Sequence, residues 1–309
     1  MGSTLLLSDI EFDKARVELS NAPIVLLCGG SVKIKNQPDD PDPPLSSLRD
    51  AISRSTFSYE IFRPEEITSW QADGIFKNLM TFETDLAAIC TLVVIILESA
   101  GSLVELGAFS QLSELSEKII AIRSNKFQND RSFINLGILR YIAEKHKSSI
   151  KSYTWDIEEP SSITVEIIND VISDIEDELG KLKKSEVLNL KQSSHLIVLI
   201  CEIIQYFVAL KESEIFDFLN TIGGTVSKDE LKRKLFLLEE FKLIRKEQYS
   251  DSTFYLRSDE KYHRLRFSLK SGRFDELRFQ IECIEYYNTN TKHRNRVRAI
   301  AQSKRGLTR

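Results

Sequence analysis

The segment Leu92-Val93-Val94-Ile95-Ile96-Leu97-Glu98-Ser99-Ala100-Gly101-Ser102-Leu103-Val104-Glu105-Leu106-Gly107 decides the fold. Six consecutive apolar residues, four of them β-branched, read as a strand covered on both faces. That is the habit of a parallel sheet flanked by helices. Polar and small residues follow, and then Leu103, Leu106 and Phe109 take a helical spacing, so the strand feeds a helix through a short loop. Ile24–Cys28, Tyr59–Phe62, Ile119–Ile122 and Ile150–Tyr153 read as further strands of the same sheet, separated by helical patterns. The first half is therefore an α/β domain, with a proline-rich loop at Gln37–Pro44 that can join neither helix nor ladder.

The chain has 309 residues with 42% hydrophobic and 28% charged residues, enough for two domains, and only 12 Gly and 7 Pro exclude collagen-like or low-complexity chains. The four cysteines have no C-x-x-C spacing and the four histidines are dispersed, so no metal site is expected and a reducing compartment is. The N-terminus lacks a basic region and a cleavage site, and no apolar run reaches the ~18 residues of a bilayer span. A soluble, cytoplasmic protein is the expectation.

A net charge of −4 conceals an asymmetry, because residues 261–309 hold 13 basic and 4 acidic residues. That end suits a polyanion, or is a solvated tail. Asp156–Gly180 carries nine acidic residues and no Lys or Arg. It reads as an amphipathic linker helix, either solvated or docked on a basic partner or on the basic tail. Beyond it come helices at Leu196–Leu210, Glu212–Leu219 and 227–242, with a turn at Gly223-Gly224 and a capping-box spacing from Ser227 to Glu230. A hairpin turning at Ser250-Asp251 follows. This resembles a winged helix-turn-helix, used for nucleic acid or for protein contact, with residues 227–242 as recognition helix and 248–253 as wing. Residues 227–257 hold 8 basic against 6 acidic residues, a weak balance for an autonomous operator binder. The expected division is 1–155, a linker at 156–190, a winged-helix-like domain at 191–270, and a basic helix and tail at 271–309.

In an open parallel sheet, ligands bind outside the carboxyl ends of the strands. Two loops there stand out, Cys28-Gly29-Gly30-Ser31 and Glu98–Glu105. Paired glycines let a backbone approach a ligand closely, or simply make a tight turn. Glu105, expected in the first turn of its helix, is favoured as an anion by the helix dipole, and a buried carboxylate can attack or stabilise a sugar C1′. Ser102 and Glu105 also have capping-box spacing, so a structural cap is the competing reading.

Leu26–Gly30, Val93–Phe109 and Arg131-Ser132-Phe133-Ile134-Asn135-Leu136-Gly137 together resemble the nucleoside 2-deoxyribosyltransferase-like domain of bacterial retron effector proteins. The resemblance implies a flavodoxin-like parallel sheet followed by a mainly helical winged-helix domain. It implies Glu105 as catalytic nucleophile, with Gly29, Gly30, Ser31, Glu98, Ser99, Ser102 and Asn135 on the substrate side. Related sequences carry an Asp where this chain has Thr91, and Glu83 and Asp85 are expected to be solvated rather than to replace it. The resemblance further implies an antiphage, toxin-antitoxin-like N-glycosidase acting on NAD or other nucleotides as substrates, without a cofactor. Its partners would be the retron reverse transcriptase and its RNA-linked single-stranded DNA (msDNA), and the protein would be oligomeric. Lys228, Lys232, Arg233, Arg294, Arg296 and Arg298 are the expected nucleic-acid contacts. The rival expectation is a DNA-binding winged-helix regulator whose first domain senses a nucleotide.

Overall fold

The computed structural model describes residues 9–306 except 36, 38, 70–73, 146–148 and 273, with side chains described to Ser303. The chain forms two compact units, one of Ala22–Thr68 with Met80–Leu182, the other of the N-terminal residues, Ser69–Leu79 and Lys183–Arg309.

The first unit is built on a five-stranded sheet in the spatial order Glu60–Phe62, Ile24–Cys28, Leu92–Ile96, Ile119–Ser124, Ile150–Tyr153. Every neighbouring pair is parallel. In chain order this is 2-1-3-4-5, so the winding reverses between Ile24–Cys28 and Leu92–Ile96, and the crevice of such a sheet opens at the carboxyl ends of those two strands. Both strands are buried at every position, as their unbroken apolar runs predict.

Successive residues of a strand point to opposite faces. Val25, Leu27, Val94 and Ile96 therefore share one core with Leu48 and Ile52 of the helix Leu48–Ser53 and with Val171 and Ile175 of the helix Val165–Lys181. Each such side chain contributes ~1.5–3 kcal/mol when fully buried. Residues 156–182, expected to begin a linker after 155, pack with the sheet: their acidic helix is part of its cover, and this unit runs to Leu182. Its acidic face meets Lys151 of the last strand, whose Nζ lies 2.8 Å from Asp174 and 3.4 Å from Glu178.

In the second unit, strand Arg16–Glu18 lies antiparallel between Arg264–Arg266 and Ser185–Val187, so the N-terminal residues belong here and not with the sheet that follows them. The helices Ser193–Tyr206, Glu212–Thr221 and Lys228–Glu240 precede an antiparallel hairpin, Ile244–Tyr249 with Ser252–Arg257. Ser250 has φ +56° at the hairpin's turn, and Gly223 has φ +85° between the second and third helices. Ser227 caps the third helix by accepting from Glu230 N at 3.1 Å, while the Glu230 carboxylate lies 3.3 Å from Lys234 Nζ. The helices Glu276–Thr289 and Arg294–Gly306 complete the unit, and Phe279, Cys283, Tyr287, Ala299 and Ile300 join Phe254 and Leu256 in its core. Among the described residues of the basic end, the last helix packs into this core through Ala299 and Ile300. No described helix is long and apolar enough to cross a membrane.

Candidate active site

The loop after the central strand is organised by its own side chains. Ser99 is the N-cap of the helix Ala100–Ser110: its Oγ accepts from Ser102 N at 3.1 Å, and the Ser99 N donates to Ser102 Oγ at 3.2 Å. The capping box is therefore Ser99 with Ser102, not Ser102 with Glu105. The Ser99 hydroxyl also donates to the Gly29 carbonyl at 3.0 Å, which ties the two ligand-end loops together.

Glu98 is committed to backbone. Its Oε1 accepts from Gly30 N and Arg49 N, each at 3.0 Å, and its Oε2 from Leu48 N at 2.8 Å. The Leu48 and Arg49 amides are open donors at the start of the helix Leu48–Ser53, so Glu98 substitutes there for the missing preceding turn, while the Gly30 amide ties it to the glycine loop. Burial pushes its carboxyl above the ordinary value, against the pull of the Arg49, Gly30 and Leu48 amides. The paired glycines answer to this packing. A Cβ on Gly30 would lie 2.7 Å from Ser47 Cβ and 3.0 Å from Glu98 Cγ, and one on Gly29 would lie 3.0 Å from Arg49 Cβ. The space a Cβ would take on either glycine is occupied by these three side chains. The exposed Ser31 offers its carbonyl to Ser46 Oγ at 2.6 Å and Ser47 Oγ at 2.8 Å.

Glu105 behaves differently. With the helix starting at Ala100, it falls in the second turn, out of the first-turn position expected for it. Its Oε2 is buried and has no hydrogen-bond partner. A buried polar atom left unpaired costs roughly 1–3 kcal/mol, so its retention asks for a reason outside the free protein. Burial raises the Glu105 pKa. A hydrogen bond from the Cys28 thiol and the nearby Arg49 guanidinium favour the ionised form, and Glu65 opposes it.

Around Glu105 stand groups that the sequence does not assign to the site. Arg49 is buried, donates through Nε to the Leu27 carbonyl at 3.0 Å and through Nη1 to the Gly30 carbonyl at 3.2 Å, and pairs with both oxygens of Glu65. Glu83, from the helix Leu79–Ile89, is raised to about 7 by burial first, then by Glu105 and Glu65, with Arg49 working the other way. It is part of this electrostatic cluster, not the solvated residue expected. Cys28, at the end of the first strand, is a buried thiol pushed well up by burial and by Glu105. The available signal for Arg49 was its position in Leu48-Arg49-Asp50-Ala51-Ile52, a cation inside a short helix whose neighbours face a core.

Asn135 and Thr91 lie outside this cluster's bonding. Asn135 accepts from Arg123 Nη1 at 2.6 Å and donates to the Phe127 and Asp130 carbonyls at 2.7 and 2.9 Å, bracing its own loop. Thr91 accepts from Ile24 N at 3.2 Å, at the amino end of the central strand and so at the opposite edge of the sheet from Glu98.

In the second unit, Lys228 and Lys232 are exposed at the start of the third helix, and Arg294 and Arg298 are exposed on the last. Arg233 is half-buried, its guanidinium 6.0 Å from the Phe76 ring centre. Arg296 is a correction: it is buried, pairs with Glu214, and lies 4.6 Å from the Tyr287 ring centre and 5.5 Å from that of Phe254. On a helix, residues 294, 296 and 298 cannot share one face, and the middle one turns inward.

The chain is similar to two Escherichia coli proteins, those of retrons Ec73 and Ec86, each named a "putative ribosyltransferase/DNA-binding protein". The Ec73 protein is 26% identical over 264 residues, covering 78% of this chain and 80% of the relative. The Ec86 protein is 32% identical over 130 residues, covering 41% and 39%. The family model described as STM3845 retron effector protein matches residues 45–246, a span that contains Arg49, Glu65, Glu83, Glu98 and Glu105 as well as the three helices after Leu182. By that match over most of its length, the chain belongs to the STM3845 retron effector family.

Proposed function

We propose that the parallel-sheet unit is an N-glycosidase or glycosyl transferase acting on NAD or another nucleotide, with Glu105 as its nucleophile or anionic support. The observation that carries this reading is the buried, unpartnered Glu105 Oε2 beside Arg49, Glu65, Glu83 and Cys28. A carboxylate oxygen with nothing to accept from is free to meet an anomeric carbon. The C1′–N bond breaks with its electron pair leaving on the base, while Glu105 forms a bond to C1′ or stabilises the oxocarbenium-like centre. Water or another acceptor then attacks C1′; where a Glu105–C1′ bond had formed, it breaks with its electron pair returning to the carboxylate, and the acceptor's proton passes to solvent. Arg49 helps to hold Glu105 ionised. Glu83, near pH 7 partly protonated, is the group able to supply a proton to a departing purine. A nicotinamide leaves NAD as a neutral base and needs none.

The relatives' ribosyltransferase naming supports glycosyl transfer, and family membership supports a role in retron antiphage defence. The toxin-antitoxin logic, restraint by reverse transcriptase and msDNA, and assembly into oligomers are parts of the same proposal. The three-helix and hairpin arrangement fits a winged helix, whose exposed Lys228, Lys232, Arg294 and Arg298 would meet the nucleic acid. A regulator that only senses a nucleotide could use the same oxygen to accept from a ribose hydroxyl, and it is the relatives' ribosyltransferase naming that favours the glycosidase reading over it. Chromatography of purified protein incubated with NAD, nucleoside monophosphates and deoxynucleotides is the test. Released base from at least one of them is expected, and none from any would exclude the proposal.

A further inference from the structure

The Lys183–Arg309 unit, with its N-terminal strand, contains a cavity of about 730 Å³, in the range of small-molecule sites. Three buried side-chain atoms without a hydrogen-bond partner belong to residues that line it: Glu202 Oε1, Arg245 Nε and Ser303 Oγ. They come from three separate elements, the helix Ser193–Tyr206, the hairpin strand Ile244–Tyr249 and the helix Arg294–Gly306. Glu202 and Ser303 are 1% and 4% exposed, so bulk solvent does not satisfy them. Glu202 Oε2 receives the Tyr206 hydroxyl at 2.7 Å, and Arg264 Nε stands 3.3 Å from Oε1 as an ion-pair neighbour. Val208 also lines the cavity and is held at φ +65°, a region β-branched residues rarely enter, and such strain is retained mostly where a site needs it.

The wall chemistry is divided. Arg245 and Ser303 offer donors to an anion, Glu202 offers an acceptor to an amine or hydroxyl, and Leu256, Ile284 and Ile300 supply apolar surface for a flat ring. A phosphate, a group bearing a donor, and a flat apolar body are together the parts of one nucleotide. We propose that this cavity is a second ligand site, separate from Glu105, which takes a single nucleotide unit bearing a phosphate monoester. The unit can be a free mononucleotide or the phosphorylated end of a strand.

Hydrogen exchange on the full-length chain, with adenosine 5′-monophosphate or with a 5′-phosphorylated trinucleotide as probe, tests this. Protection of residues 254–262 and 297–303 by either probe is expected, and which probe acts tells the two sources apart. Arg245→Met should weaken that protection at least about tenfold in probe concentration, and Ser303→Ala should weaken it in the same direction. Glu105→Gln should leave it intact, which keeps the result independent of the chemistry proposed for the other unit. Circular dichroism confirms that each variant is folded. No protection by either probe, or equal protection in folded Arg245→Met and Ser303→Ala, overturns the proposal.

Discussion

Arg49 forks onto Glu65, with Nη1 2.7 Å from Oε1 and Nη2 2.6 Å from Oε2, while its remaining Nε–H is spent on the Leu27 carbonyl. The same backbone stretch is held from the other side by Glu98. One buried cation and one buried carboxylate thus fix the two loops at the carboxyl ends of the sheet, and Glu105 is left as the carboxylate without a full set of partners. Bracing and the proposed chemistry thus fall to glutamates only seven residues apart in sequence.

Glu98→Ala should therefore damage folding before it damages binding. It strips a charged acceptor from three backbone amides, and hydrogen bonds to charged groups are worth ~1.5–3 kcal/mol each, with non-additive sums. A loss of about 3 kcal/mol or more in denaturant unfolding is expected. An unchanged midpoint would show that water replaces the carboxylate at no cost.

Glu83 links the site to pH. Its carboxyl is raised from 4.5 to about 7, so it binds its proton more tightly folded than unfolded. Its contribution to stability is complete below pH 4.5 and is lost as the pH rises through about 7. Glu83→Gln cannot ionise, so its melting temperature should gain on wild type between pH 5 and pH 8. A difference that stays constant across that range contradicts the coupling.

The same residue separates leaving groups. Purine release by wild type should fall as pH rises through about 7, and Glu83→Gln should lower it by about 100-fold, in the range of general acid catalysis. Nicotinamide release from NAD should keep its rate in both respects, because no proton is transferred. Initial rates with the two substrates from pH 6 to 8.5 make the comparison. Parallel profiles would remove Glu83 from the role of acid.

On the last helix the arginines should part company. Arg294→Ala with Arg298→Ala alters only exposed side chains, and is expected to weaken nucleic-acid binding and flatten its salt dependence without moving the melting temperature. Arg296→Ala removes a buried partner of Glu214 and should cost about 2 kcal/mol of stability. Salt titrations and thermal melts of the two variants check both halves. Loss of stability in the exposed pair, or none in Arg296→Ala, would reverse the assignment.

Much of this was legible because strands buried on both faces write themselves as apolar runs. Ile24–Cys28 and Ile150–Tyr153 were bounded correctly, and the other three strands to within two residues at either end. The helix Val165–Lys181 was seen but misplaced, since a charge-rich face conceals the few residues, Val171 and Ile175, that dock it. Glu105 is singled out by the resemblance of its loop, since spacing alone equally suits a cap. Arg49 and Glu65 go unremarked and Glu83 reads as solvated, because they lie 22 to 56 positions away and meet Glu105 only through the fold. Glu98, Ser99 and Ser102 are expected on the substrate side, and in this structure they make hydrogen bonds to backbone groups. Sequence spacing does not distinguish an oxygen that braces a loop from one that faces a substrate.

The most direct measurement is the initial rate of base release by wild type and by Glu105→Gln, matched for concentration and for melting temperature, with the best substrate of the panel. Gln keeps the size and the helix position of Glu105 and removes only its charge and nucleophilicity, so the expected result is a fall of about 100-fold or more with the fold intact. Base release at the wild-type rate in folded Glu105→Gln would contradict the assignment of the chemistry to this carboxylate.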